Sequence, residues 1–240
     1  MNVIMREMIK QGPSYEVTNL EEQHIEQILQ LQQKVIHALP DKKVLQPLAK
    51  EEFLNILRGN GKMVGAWVKE QLIAFRALLV PPENDPEHLG LDAGVTDLST
   101  VIYQEISNVD PMYRGNKLQQ KLAQILMEQL KKESHQYRYV CCTVAPFNYP
   151  SLKDKFAQDM QIIDLKEKYG GSLRYVFMKD LQAAKVVQQG EVIEIKMDDI
   201  TKQQQYLQSG WRGVKMTIAE QETKVVYARF NEVDFINEIV

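Results

Sequence analysis

Arg114, Gly115 and Lys117 stand together where backbone geometry alone favours an anion. They belong to Tyr113-Arg114-Gly115-Asn116-Lys117-Leu118-Gln119, which follows an apolar strand from Val101 to Val109. The same stretch opens a helix carrying Leu118, Leu122, Ile125, Leu126 and Leu130 on one face. A strand that turns tightly into a helix leaves several N–H groups unpaired and pointing one way, at the positive end of the helix dipole. Two cationic side chains add full charge there, and the glycine lets the backbone come close to what is bound. Cations at a helix N-terminus oppose its dipole, so their presence calls for an anion. The chemistry predicted is a pyrophosphate cradle.

The elements that must position this turn read as a mixed α/β layer. A short strand at 15–19 precedes a helical run, Glu21 to Leu39, with Ile25, Ile28, Leu29, Leu31, Val35, Ile36 and Leu39 at helical spacing, ended by Pro40. A second helix spans Glu51 to Leu57 and stops at Gly59-Asn60-Gly61. Strands at Lys62–Val68 and Leu72–Val80 form a hairpin. The long polar stretch Pro81–Asp97 reads as a loop. The helix after the cradle runs from Gly115 to Lys132, followed by a strand, Tyr137–Val144, and a helix opening at Asn148-Tyr149-Pro150-Ser151. Strands at Gln161–Leu165 and Leu173–Met178 close this part around Gly170-Gly171. Beyond Leu181 come a strand at Val192–Ile195 and a helix capped by Asp198 or Asp199 and closed by Gly210. A hairpin, Trp211–Ile218 with Lys224–Phe230, turns around Glu220-Gln221-Glu222.

Size and composition narrow the classes. The chain has 240 residues, 44% hydrophobic and 25% charged, ample for a core. A formal charge of -3 argues against a general nucleic-acid binder. Cys141 and Cys142 are the two cysteines; neighbours on a strand point to opposite faces, so they suit neither a mutual disulfide nor a zinc site. Thiols of this kind fit a reducing cytosol. Charges interrupt Met1–Gln11, so no signal peptide is read, and no run is long enough to span a bilayer. A soluble, cytoplasmic protein is expected.

Residues from about 15 to 180 resemble the GNAT superfamily of acetyl-CoA-dependent N-acetyltransferases. Two segments carry the resemblance: Val109 through Gln119, similar to the family's Q/R-x-x-G-x-G/A turn, and Thr143 through Leu152, similar to its Asn-x-x-Ala/Ser segment. Their order and separation also match. The resemblance implies an α/β fold, a mixed and mostly antiparallel sheet flanked by helices, over residues 1–182; no low-complexity linker follows, so 183–240 read as an α+β extension packed on the same domain. It implies acetyl-CoA as co-substrate, without a metal, and direct transfer to an amine in a ternary complex. Ser107, Asn108 and Val109 would pair with the pantetheine arm. Backbone N–H groups of Arg114, Gly115, Asn116, Lys117, Leu118 and Gln119 would hold the pyrophosphate. Asn148 would contact the pantetheine or order the loop beneath it, and Ser151 would sit near the cofactor's outer end. The strands around 101–109 and 138–144 would splay to open a thioester slot.

Three departures from the pattern bear on chemistry. Lys117 and Gln119 stand where the family's motif carries small residues, and Lys155 stands where many relatives carry the tyrosine that protonates the leaving thiolate. Tyr149 and Tyr175 are other hydroxyls that could reach the thiol. Amine attack needs a proton acceptor, for which Glu105 is the preferred base; a solvent-facing or ion-paired carboxylate is the plainer alternative. Tyr103 could contact the acceptor, though sheet packing is the simpler role. Asp92, Asp97 and His88 lie in the long loop, where solvated acidic residues are expected before acceptor recognition. His24, His37 and His135 lack metal spacing and read as structural or surface residues. The acceptor is a small-molecule or peptide amine; neither nucleic acid nor membrane is expected as a partner. The tail could cover the acceptor groove or make homodimer contacts. The alternative to an enzyme is a catalytically reduced CoA-binding sensor or partner-binding module.

Overall fold

The computed structural model describes residues 2–10, 12–133, 136–183, 190–219 and 222–230. His135 and the turn residues Glu220 and Gln221 lie outside them.

Hydrophobic alternation explains the sheet. In β3 (Gly61–Val68), Val64 and Ala66 pack into one cluster while Met63 and Trp67 pack into another, so each face of the strand meets its own helices. One face, shared with β4 (Gln71–Leu79), is covered by α1 (Ile25–His37) and α2 (Lys50–Asn55) through Ile28, Leu31, Val35 and Phe53, while Tyr15 and Val17 of β2 (Ser14–Asn19) and Met5 of the edge strand β1 (Val3–Met8) pack into the other cluster. The opposite face is covered by α4 (Leu118–Glu133) and α5 (Tyr149–Phe156) through Leu118, Leu122, Leu126, Leu130 and Leu152. Between them in the chain lie the short α3 (Leu89–Asp92), β5 (Val101–Val109) and β6 (Tyr139–Val144), and then β7 (Gln161–Lys168) and β8 (Ser172–Asp180). The strand order is β1-β2-β3-β4-β5-β6-β8-β7, continued by β10 (Arg212–Ile218), β11 (Thr223–Ala228) and β9 (Val192–Lys196). Among the described residues the β5–β6 pair is parallel and the rest are antiparallel. This is the mixed, mostly antiparallel sheet with flanking helices that the sequence predicts.

The segment after Leu181 continues the same sheet. Strand β10 meets β7 at Gly213 and Ile162, where a Cβ on the glycine would lie 2.9 Å from the isoleucine side chain. Helix α6 (Ile200–Gln208) contributes Gln203, fully buried, whose Oε1 accepts from the Tyr175 hydroxyl at 2.7 Å and the Tyr227 hydroxyl at 2.8 Å. Asp199 caps this helix by accepting from Lys202 N.

Four readings change. Strand β1 is absent from the sequence expectation, because Arg6 and Glu7 break its apolar alternation; it is an edge strand, where charges suit the exposed side, and Arg6 pairs across to Glu16. The helix after the cradle begins at Leu118 rather than Gly115, since Gly115 (φ +82°) and Lys117 (φ +57°) are left-handed and cannot continue a helix. The helix read as Glu51–Leu57 is α2, Lys50–Asn55, followed by a wider turn, Ile56–Asn60. The loop Pro81–Asp97 is not simply solvated. His88 is fully buried and caps α3 by accepting from Gly90 N, while Asp92 pairs with Lys166 and, at 3.0 Å, with Lys168. Asp97 stays exposed and caps the turn at Ser99.

Candidate active site

Strands β5 and β6 pair only where Val101–Tyr103 face Tyr139–Cys141. Beyond that point β5 keeps β4 and β6 keeps β8, so the two part. The gap is a slot of about 180 Å³, lined on its strand walls by Gln104, Glu105, Ser107, Thr143 and Val144, and by Ser151 and Lys155 from α5. It opens into a groove of about 720 Å³ that runs past Asn108, Val109 and the whole turn from Tyr113 to Gln120. Ser107, Gln119, Asn148, Ser151 and Asp154 line both spaces. The sequence-predicted residues Ser107, Asn108, Val109, Arg114, Gly115, Asn116, Lys117, Leu118, Gln119, Asn148 and Ser151 therefore gather on one continuous surface, with Glu105 at its inner end.

The turn from Tyr113 to Lys117 leaves backbone donors open. The N–H groups of Gly115, Asn116 and Lys117 have no hydrogen-bond partner among the described residues, and the first turn of α4 leaves further donors free. Arg114 and Lys117 are exposed beside them. Asn116 braces the turn, its Nδ2 donating to Tyr113 O at 2.9 Å and its Oδ1 accepting from Lys10 N at 3.0 Å. Asp110 holds it from the other side, pairing with Lys34 of α1 at 2.6 Å and accepting from Met112 N at 3.0 Å. Lys117 keeps a left-handed backbone that glycine would take without cost, a strain that tends to persist where the side chain or the exposed amides have work to do.

Polar atoms without partners mark the path between cradle and slot. Ser107 Oγ, both polar atoms of the Asn108 side chain and Asp154 Oδ1 are buried and unbonded among the described residues. A pantetheine arm, with two amides and a hydroxyl, matches such a row of idle donors and acceptors, so these residues fit coenzyme A. Asn148 is placed by its own bonds: Oδ1 accepts from Ser151 N at 3.4 Å and Nδ2 donates to Val44 O at 3.2 Å.

Glu105 is the extra residue of a β-bulge. Ile106 faces Ala77 and Gln104 faces Leu78, leaving Glu105 between them to be aimed away from the ladder. It is half-buried in the slot, and its carboxyl is pushed up to about 7, first by burial and then by the charge of Glu52, which lines the same mouth. Tyr169, whose hydroxyl lies 3.0 Å from Thr143 Oγ1, and Arg174 complete this side.

The slot's floor is charged, which the sequence reading missed. Arg76, 1% exposed, donates through Nη1 to Asp154 at 2.9 Å and to Gln119 O at 3.0 Å, and through Nη2 to Gln104. Lys155 donates to Gln104 Oε1 at 2.7 Å and stands 3.3 Å from Asp154. Burial lowers the Lys155 pKa, helped by the Arg76 charge. Burial works to raise Asp154, yet Arg76 and Lys155 outweigh it and hold the carboxyl below its usual range. The available signal was Arg76 itself, a lone charge inside the apolar strand Gln71–Leu79.

Other candidates fall elsewhere. The hydroxyls of Tyr149 and Tyr175 serve Thr223 and Gln203, not the slot, because both tyrosines anchor the segment after Leu181. The Tyr103 hydroxyl accepts from Leu89 N at 2.6 Å and so fastens α3 to the sheet. Cys141 and Cys142 are free and buried, in clusters on opposite faces. His24 is buried with Nδ1 accepting from Glu21 N, and His37 bonds Gln33 O.

No family model matches the sequence, and no curated protein matches it either. Solved structures do match. An acetyltransferase of the GNAT family from Streptococcus pneumoniae superposes with a TM-score of 0.52 at 16% identity, covering 69% of this chain and 98% of its own. The ribosomal-protein-S18-alanine N-acetyltransferase from Escherichia coli gives 0.52 at 15%, over 71% and 96% of the two chains. The yncA protein from Salmonella typhimurium, assigned as an acetyltransferase and solved with its cofactor acetyl-CoA, gives 0.52 at 11%, over 72% and 96%. The chain has the GNAT acetyltransferase fold.

Proposed function

We propose that this protein transfers an acetyl group from acetyl-CoA to a small-molecule or peptide amine, by direct attack within a ternary complex. The reading rests above all on the parting of β5 and β6, which joins the anion cradle, the orphaned polar atoms of Ser107 and Asn108, and Glu105 in one groove. The fold it shares with acetyltransferases supports the same reading.

Each residue then has a task. Free amides at 115–117, with Arg114 and Lys117, hold the diphosphate. Ser107 and Asn108 engage the pantetheine arm along the free edge of β5. Acetyl-CoA supplies an activated acyl carbon and a thiolate leaving group. Glu105, with a carboxyl poised near neutrality, takes the proton from the incoming ammonium or amine, so the nitrogen attacks as a neutral nucleophile. Lys155, with Arg76 beside it, sets positive charge at the floor where negative charge gathers on sulfur, and its ammonium can return a proton there.

Thiol release from acetyl-CoA against a panel of amines tests the reading. Amine-dependent release that falls in Glu105→Gln supports it. Coenzyme A binding with no turnover on any amine would instead favour a sensor or partner-binding module.

A further inference from the structure

A second cavity lies behind the floor of the slot. It measures about 410 Å³ and sits between α4, the turn that follows α5 and the sheet, with Met127, Val140, Ala157 and Met160 among its walls. Gln104 is the one described residue that lines both this cavity and the slot. Its carboxamide spans the partition. Oε1 accepts from Arg76 and Lys155, which belong to the slot, while Nε2 donates at 2.7 Å to Oε1 of Gln158, which belongs to the cavity. Gln158 is itself fixed, donating to Asp154 O and Oδ2 at 3.1 Å and accepting from Lys179 at its carbonyl.

Geometry leaves the acyl substituent one direction. The groove enters the slot past Ser107 and Asn148, and Glu105 with Glu52 holds the opposite mouth for the amine. What remains is the floor, where Gln104 closes the way with its carboxamide oxygen and nitrogen both hydrogen-bonded. An alkyl chain there would have to break hydrogen bonds to two buried cations, which is costly. The space beyond is partly apolar and would accept one.

Building on the acyl-transfer reading, we infer that Gln104 limits the donor acyl group to a short chain, and that the cavity behind it is a latent chamber for a linear alkyl chain of about six carbons. The two spaces would merge on loss of this one side chain.

The test compares kcat/KM for acetyl-CoA and hexanoyl-CoA in the wild type, Gln104→Ala, Gln104→Glu and Gln158→Ala. The wild type should prefer acetyl by roughly 100-fold or more, and Gln104→Ala should move the ratio toward hexanoyl by roughly 100-fold. Gln104→Glu, of the same shape and still accepting from both cations, loses only the bond to Gln158 and should move the ratio no further than Gln158→Ala does. Gln158→Ala, which frees the carboxamide to swing, should move it part of the way. A folded, active Gln104→Ala enzyme with an unchanged ratio overturns the proposal, as does a wild type that uses hexanoyl-CoA as well as acetyl-CoA. If Gln104→Ala turns over neither donor, calorimetric binding decides: a gain for hexanoyl-CoA relative to acetyl-CoA supports the chamber, and no gain contradicts it. A wild type that binds neither thioester would refute acyl transfer itself.

Discussion

Arg76 and Asp154 meet at 2.9 Å with side chains only 1% and 3% exposed, so strand β4 and helix α5 are joined by an ion pair almost wholly removed from water. Such a pair adds little over well-packed apolar residues, but breaking one side leaves a bare buried charge. Asp154→Ala should therefore lose about 3–5 kcal/mol of stability in denaturant melts. The double change Arg76→Met with Asp154→Leu should recover only part of that loss, because Lys155 still lacks its counter-charge. The pH dependence has a fixed sign. The folded carboxyl titrates below its unfolded value of about 3.9, so its contribution is present above that pH and fades as pH falls through the lower folded value. Asp154→Asn should lack this acid-side loss.

Glu105 shifts the other way, and the shift is readable in rates. With its carboxyl pushed up to about 7, kcat/KM should rise on an acid limb near neutrality as Glu105 ionises. Glu105→Gln should lower the rate by roughly 100-fold and abolish the limb. Glu52→Gln removes a nearby negative charge that opposes ionisation, so the limb should move to lower pH. A raised folded pKa also means that ionised Glu105 opposes folding above its unfolded value. Glu105→Gln should consequently be more stable than the wild type at pH 8 while being less active.

Lys155 should matter for departure of sulfur rather than for binding. Lys155→Met is expected to lower kcat by roughly 100-fold while leaving coenzyme A affinity within a few-fold. Its rate profile should also lose the alkaline limb that deprotonation of the ammonium produces. A structural role alone would leave that limb in place.

Lys117 couples backbone strain to charge. Lys117→Gly removes a left-handed side-chain conflict and should raise stability by on the order of 1 kcal/mol. The same change should weaken coenzyme A binding, since the ammonium is lost. Arg114→Ala with Lys117→Ala should weaken it roughly tenfold or more at low salt, with a shallower dependence on ionic strength, as titration calorimetry would report.

Gln203 bonds the last part of the chain to Tyr175 of the main sheet. Gln203→Leu strands the buried hydroxyls of Tyr175 and Tyr227, at roughly 1–3 kcal/mol for each group left unpaired. Lower denaturant midpoints with a preserved slope would register it.

What was legible in the sequence was what local chemistry specifies. Strand β5 could be bounded to the residue because an apolar run ends where Asp110, Pro111 and Gly115 demand a turn. The turn between β5 and α4 was legible for the same reason, and Asn148 because a capping residue followed by proline marks a helix start. The rest depends on partners far along the chain. Arg76 acquires meaning only when Asp154, 78 residues away, is folded against it. Asp92 looks solvated until Lys166 and Lys168 are laid beside it by β7, and His88 until the Tyr103 ring packs against it. Strand β1 has no apolar face to announce it, and the bulge that isolates Glu105 is visible only through its register against β4.

The central claim is most directly tested by a crystal structure of the wild-type protein with acetyl-CoA. The account predicts the diphosphate against the amides of residues 115–117, the pantetheine alongside Ser107 and Asn108, and the thioester between β5 and β6 within reach of Glu105. Density for the molecule in some other place, with that corner of the fold left empty, would contradict it.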